Sequence, residues 1–312
     1  MKKVGIEVSK AKIGVYTNSP NLLERDRFYW LDTNFFSVRL IPFEEATDSF
    51  LEIEDRTVRF SMEIRNDSLL LKGNFSNLEK SAKDRRYGIF GNLGIFSSWV
   101  LRTLEKVHDI YTFHACGIVK DNQLMIIPGG AGSGKTIFIL SALKKGWEVF
   151  STEFIHFRVR ESVEFFKGSL KDGVRLSTLR DHFPKMAEKL GITLKEEIGG
   201  KLVVDFSPFQ VESDTLQNFE ITLVFPHVEE RKEQVIHQEV TDREFILRNL
   251  FNNASEKICK SILLYGEIGI PGLDTIELAN KRIRALNLFL ELGRIKQSFI
   301  WVSGVREVEG IL

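Results

Sequence analysis

Gly129-Gly130-Ala131-Gly132-Ser133-Gly134-Lys135-Thr136 is the stretch on which the reading of this chain turns. It fits the spacing Gly-x-x-x-x-Gly-Lys-Ser/Thr. Glycines let a backbone take positive φ values and wrap successive N–H groups around phosphate oxygens. A helix that follows aims its positive N-terminal end at the same anion. In such a loop the Lys135 ammonium neutralises β- and γ-phosphates, and the Thr136 hydroxyl ligates Mg²⁺. All eight residues are therefore candidate nucleotide-binding residues, with ATP and Mg²⁺ as the expected ligands. Chance alone places the spacing in roughly one chain in a hundred of this length, so the flanking sequence has to discriminate. The competing reading is a glycine-rich turn between a strand and a helix.

The flanks support the phosphate loop. An apolar run at residues 123–128 feeds it, and a helix of apolar spacing is expected over 135–145, with Gly146 as C-cap,. Upstream, residues 111–119 and 123–128 read as a hairpin around Lys120-Asp121-Asn122,. A helix with Phe96, Val100, Leu104 and Val107 on one face precedes it and ends near His108-Asp109,. Downstream, residues 147–150 read as a strand ending in Ser151-Thr152-Glu153. This puts Glu153 at a strand tip beside the loop, able to hold Mg²⁺ through water or to accept a proton from an attacking hydroxyl. His114 lies on the strand leading back along the hairpin. His114 and Cys116 have no partner pair at zinc spacing. Lys167, Lys171 and Arg175 read as a solvated turn, with contact to a substrate or phosphate as the alternative,.

Further out the pattern alternates. Strands are expected at 154–159, 203–206, 221–225 and 299–302. Thr241-x-x-Glu244 reads as a capping box opening a helix through Phe251,. Pro271-Gly272 breaks the chain, and Asp274 is expected to cap a long helix with Ile276, Ala279, Ile283, Leu286 and Leu290 near one face,. The first ninety or so residues are strand-rich, with short strands at 3–8, 12–16 and 36–43. There Val58, Phe60, Met62 and Ile64 alternate toward a core, Asn66-Asp67 turns, and Leu69 and Leu71 begin the return strand,. The charged, glycine-punctuated segment 78–92 suggests a boundary. The expectation is an α/β protein with a strand-rich domain at 1–90 and a loop-bearing domain at 91–312.

Composition excludes little but bounds much. The chain has 312 residues, 43% hydrophobic and 28% charged, with 43 basic and 43 acidic side chains. A zero net charge gives no reason to expect nucleic acid or an anionic membrane as partner. The two cysteines, Cys116 and Cys259, make no disulfide framework,. No apolar run approaches the roughly 18 residues needed to cross a bilayer, and Glu7, Ser9 and Lys10 interrupt any signal core,. A cytoplasmic protein is expected.

The order of parts from residue 90 to 225 resembles the C-terminal catalytic domain of HPr kinase/phosphorylase, whose fold is related to phosphoenolpyruvate carboxykinase. It is more similar to the broad HPr-kinase-like set than to the founding enzyme, because the late glycine-containing signature of that enzyme is missing. The resemblance implies a P-loop kinase core and phosphoryl transfer from ATP to a hydroxyl. Gly129, Gly134, Lys135 and Thr136 match its phosphate loop, and His114 matches a histidine kept near the transferred phosphate. Thr152 and Glu153 fall where the family has two adjacent acids. Thr152 replaces the first, leaving Glu153 to serve. The expected catalytic residues are Glu153, Lys135 and His114, and the expected metal residues Thr136 and Glu153. The expected reaction is transfer of the γ-phosphoryl group to a small-molecule hydroxyl. A protein or peptide serine kinase of the same fold, or a non-catalytic ATP-binding regulator, is the alternative. Assembly into a homo-oligomer is left open.

Overall fold

Residues 1–24, 31–193, 200–229 and 235–312 are described by the computed structural model. The chain begins with β1 (Lys2–Val8), β2 (Ala11–Thr17), β3 (Val38–Ile41), β4 (Ser49–Asp55), β5 (Ser61–Arg65) and β6 (Ser68–Gly73). Helices α1 (Phe75–Ser81) and α2 (Ile95–His108) follow, then β7 (Tyr111–Lys120), β8 (Gln123–Pro128) and α3 (Lys135–Lys144). Next come β9 (Glu148–Ser151), β10 (Phe154–Val159), β11 (Val163–Phe166), β12 (Lys171–Arg175), α4 (Leu176–His182), α5 (Pro184–Lys189) and β13 (Lys201–Asp205). The last third holds β14 (Thr215–Gln217), β15 (Glu220–Val228), β16 (Ile236–Glu239), α6 (Arg243–Cys259), β17 (Ile262–Leu264), β18 (Ile268–Ile270), α7 (Ile276–Leu292) and β19 (Ile295–Ser303). The chain is mixed α/β with several sheets.

It divides into two units. The first comprises Met1–Tyr111 and Ser255–Asn280. Its six-stranded sheet has the order β3-β1-β2-β4-β6-β5. Alternation sets its buried face: Ile6, Val8, Ile13, Val15, Leu51, Ile53, Leu69 and Leu71 are all buried,. Helix α2 buries Phe96, Val100 and Leu104, and Asp109 ends it in the left-handed region at φ 53,. Thr103 Oγ1 lies 2.8 Å from Ser49 Oγ of β4. The alternation at 58–64 does not face a core. Val58 is 50% exposed, and β5 starts only at Ser61, as an edge strand paired on one side. The turn at Asn66 (φ 52) and the buried return strand follow the expectation.

The second unit comprises Thr112–Ala254 and Lys281–Leu312. Its nine-stranded sheet runs β14-β11-β10-β7-β8-β15-β19-β16, with β9 paired to β7. β8, β15 and β19 are parallel neighbours, while β7 and β8 form the antiparallel hairpin around Asp121. Alternate residues of β7 serve different faces. Cys116 and Ile118 join Phe138, Ile139, Val149 and Trp301 in the core under α3. Phe113 stacks on Phe157 at 4.4 Å, and both meet Phe289 of α7 at 5.5 and 5.3 Å. This parity puts His114 on the α3 side. A separate ribbon pairs β12 with β13, and Asp172 sits opposite Val204 in it.

Two helix expectations change. Asp242, not Thr241, caps α6: its Oδ1 accepts from the N–H groups of Glu244 at 2.9 Å and Phe245 at 3.3 Å,. Thr275, not Asp274, caps α7, its Oγ1 accepting from the Leu278 N–H at 3.3 Å. The buried ridge of α7 is Leu278, Arg282, Ala285, Leu286 and Phe289, and Ile276 is 83% exposed. A fully buried arginine in the ridge moved the apparent apolar face by about one position. Among the described residues, no helix is long and apolar enough to cross a membrane.

Candidate functional site

The glycine loop leaves the end of β8 and enters α3 with two left-handed glycines, Gly132 at φ 87 and Gly134 at φ 107. Its two ends are braced. The Gly129 N–H donates to the His114 carbonyl at 3.0 Å, and the Val228 N–H donates to the Ser133 carbonyl at 3.3 Å. The His114 carbonyl also accepts from Asn253 Nδ2 at 2.8 Å. A Cβ on Gly129 would stand 2.3 Å from Ser133 Oγ, so a side chain there would push Ser133 out of place. Helix α3 starts from the Gly134 carbonyl, which accepts from the N–H groups of Ile137 and Phe138. The helix N-terminus therefore lies directly behind the loop. Ala131 and Gly132 are exposed at its tip.

Lys135 is buried, yet its ammonium has a ring of partners. Nζ donates to the Gly129 carbonyl at 2.6 Å and lies 3.1 Å from His114 Nε2 and 3.5 Å from Glu153 Oε2. His114 Nε2 is in turn 2.8 Å from Glu153 Oε1. One ring nitrogen cannot both accept from Lys135 and donate to Glu153. Either Nε2–H donates to the Glu153 carboxylate, or Nε2 accepts from the Lys135 ammonium. The polar ends of the three side chains lie within 3.5 Å of one another. Sequence placed these three residues near one another, and they meet as a contiguous cluster.

Thr136 and Thr152 have other partners than Glu153. Thr136 Oγ1 donates to Asp172 Oδ2 at 2.5 Å. Thr152 is fully buried, and its hydroxyl lies 2.9 Å from the Ser169 carbonyl and 2.8 Å from that of Lys171. Its N–H also donates to Ser169 O, at 2.8 Å. Thr152 therefore grips a backbone segment. Asp172 was not among the residues singled out by sequence. It lies in the glycine-containing segment that reads in sequence as a solvated turn. Burial raises the Asp172 carboxyl above the usual carboxylate range, and the Glu153 charge raises it further. The Thr136 hydroxyl and Lys135 pull the other way,.

Lys167 and Cys116 have protein partners of their own. Lys167 is buried, not solvated: Nζ meets the Val211 carbonyl at 2.8 Å, Gln210 Oε1 at 3.0 Å and Asp214 Oδ1 at 3.0 Å. Cys116 is buried against the Lys135 carbonyl at 3.7 Å, and burial pushes its thiol pKa up. Among the described residues, no group of three or more His, Cys, Asp or Glu is arranged to hold a metal. A cation at the loop would take its oxygens from the Thr136 hydroxyl, a single carboxylate and phosphate. No protein-family model matches the chain, and no curated protein matches it at a significant level.

Proposed function

We propose that this protein transfers the γ-phosphoryl group of ATP to a hydroxyl of a small molecule, on a P-loop kinase core of the HPr-kinase-like kind. The observation that carries the reading is the Lys135 cluster. A buried ammonium stands at the head of α3, behind a loop with left-handed glycines, and beside a carboxylate already hydrogen-bonded to a histidine. Phosphoryl transfer needs donors for the phosphate oxygens, a cation to follow the developing charge, and an acceptor for the hydroxyl proton. The loop N–H groups and α3 supply the donors. Lys135 exchanges the Gly129 carbonyl for phosphate oxygen. Glu153 takes the proton, and His114 fixes the orientation of its carboxylate.

The Thr136 hydroxyl beside a carboxylate offers hard oxygens that suit Mg²⁺,. When bound, that ion would neutralise phosphate charge. Zero net charge gives no reason to expect a nucleic acid as the acceptor,. The test is ADP production with a panel of polyols, sugars and amino acids. Stimulation by one acceptor class supports the reading. ATP binding without stimulation by any of them would instead mark a nucleotide sensor.

A further inference from the structure

We propose that Asp172, carried on β12, is the carboxylate that holds the divalent cation of this site, and that Thr152 is the residue that positions it. This rests on the phosphoryl-transfer reading and deepens it by dividing the work of the two carboxylates. Glu153 faces Lys135 and His114, at 3.5 and 2.8 Å. Asp172 faces Thr136, at 2.5 Å. Thr136 is the loop residue that ligates the metal when such loops bind nucleotide. A threonine hydroxyl can offer a lone pair to a cation while still donating its proton to a carboxylate. Asp172 and Thr136 are therefore a pair of oxygen donors already assembled at the helix start. Glu153, held toward the ammonium and imidazole, is left for the proton.

Thr152 explains how a residue from the β12–β13 ribbon arrives there. Its hydroxyl and N–H reach the carbonyls of Ser169 and Lys171, the residue immediately before Asp172. A carboxylate at position 152 has no proton to donate and would repel both carbonyl oxygens. The approach is close as well: a Cβ on Gly168 would stand 1.7 Å from the Phe154 carbonyl oxygen. The hydroxyl at 152 is thus coupled to the acid at 172 through the backbone that it holds.

The experiment is Mn²⁺ binding, read by electron paramagnetic resonance, with the full chain saturated by a non-hydrolysable ATP analogue. Asp172→Asn should weaken Mn²⁺ binding by tenfold or more, on the order seen when metal-site partners are removed, while the analogue still binds without metal. Glu153→Gln should leave Mn²⁺ affinity near wild type. Thr152→Val should weaken Mn²⁺ binding in the same direction as Asp172→Asn, and Thr152→Ser should restore it. That rescue separates positioning from general damage to the fold. The proposal is overturned if Asp172→Asn binds Mn²⁺ as wild type does, or if Glu153→Gln is the variant that loses it. Variants that bind the analogue but show neither effect sink this assignment alone. A wild-type chain that binds no nucleotide sinks the phosphoryl-transfer reading with it.

Discussion

Val228 stands against the α-carbon of Gly134: a Cβ built there would lie 2.4 Å from Val228 Cγ2. The end of β15 thus braces the loop at its last glycine, which also sits at φ 107. Gly134→Ala should lose nucleotide affinity and about 1–3 kcal/mol of stability from backbone strain alone, with the clash in addition. Gly132→Ala is the control. Its φ is 87, but nothing lies within 4 Å of its Cβ direction. It should cost about 1–2 kcal/mol. Urea unfolding and nucleotide titration of both variants check this, and equal losses would contradict it.

Gly168 and Gly173 make a second contrast. Alanine at 168 meets the Phe154 carbonyl and Ser151 Oγ, whereas alanine at 173 meets only Lys201 Cδ at 3.5 Å. Gly168→Ala should express poorly or unfold at markedly lower denaturant. Gly173→Ala should be within about 1 kcal/mol of wild type. A well-folded Gly168→Ala would mean that the 166–172 segment can retreat from β10.

The His114–Glu153 contact predicts coupled kinetics. Glu153→Gln should lower ADP formation roughly 10²–10⁴-fold, the range for loss of a general base. His114→Ala should lower it too, and the double variant should be little worse than Glu153→Gln, because the two act as one unit. Initial rates of the three variants decide. Factors that simply multiply would show that the two side chains act separately.

His156 sets an acid limit on stability. It is fully buried with Nδ1 2.7 Å from Thr112 Oγ1, and burial lowers its pKa to about 4. The unfolded value is about 6.5, so the unfolded chain binds the proton first. The contribution is complete above pH about 6.5 and is lost as pH falls through about 4, by up to about 3 kcal/mol. Asp172 acts in the opposite sense, because its folded pKa is raised and its contribution is lost as pH rises,. His156→Asn, whose amide can meet the Thr112 hydroxyl as donor or acceptor, should flatten the fall in stability on acidification,. Denaturant melts at several pH values measure it. An unchanged slope would place the acid sensitivity elsewhere.

What could be read from sequence was local. The hairpin around Asp121, the glycine loop and α3 follow from apolar runs and turn residues adjacent in the chain. Glu153 was legible because its strand follows the loop helix directly. Asp172 was not. It lies 36 residues from Thr136, and only the pairing of β12 with β13 and the grip of Thr152 bring it back. The grip of Thr152 was not visible either, since a hydroxyl set against two carbonyls looks in sequence like one facing solvent. Lys167 and Arg282 misled for a related reason. Charge normally signals exposure, and both are buried. Thr241 lost the cap of α6 to Asp242, one residue nearer the helix.

The interleaving of the two units bears on how the chain is made. The first unit needs residues up to Asn280 before its last segment exists, although its sheet is encoded by residue 73. β19 lies between β15 and β16 in the second sheet, so β16 has no neighbour until residues 295–303 are synthesised. At about 5–20 residues per second, the nascent chain carries an open sheet edge for several seconds. Completion of both units is thus a late, nearly simultaneous event at the ribosome, and a fragment ending before residue 295 would leave the edge of β15 uncovered.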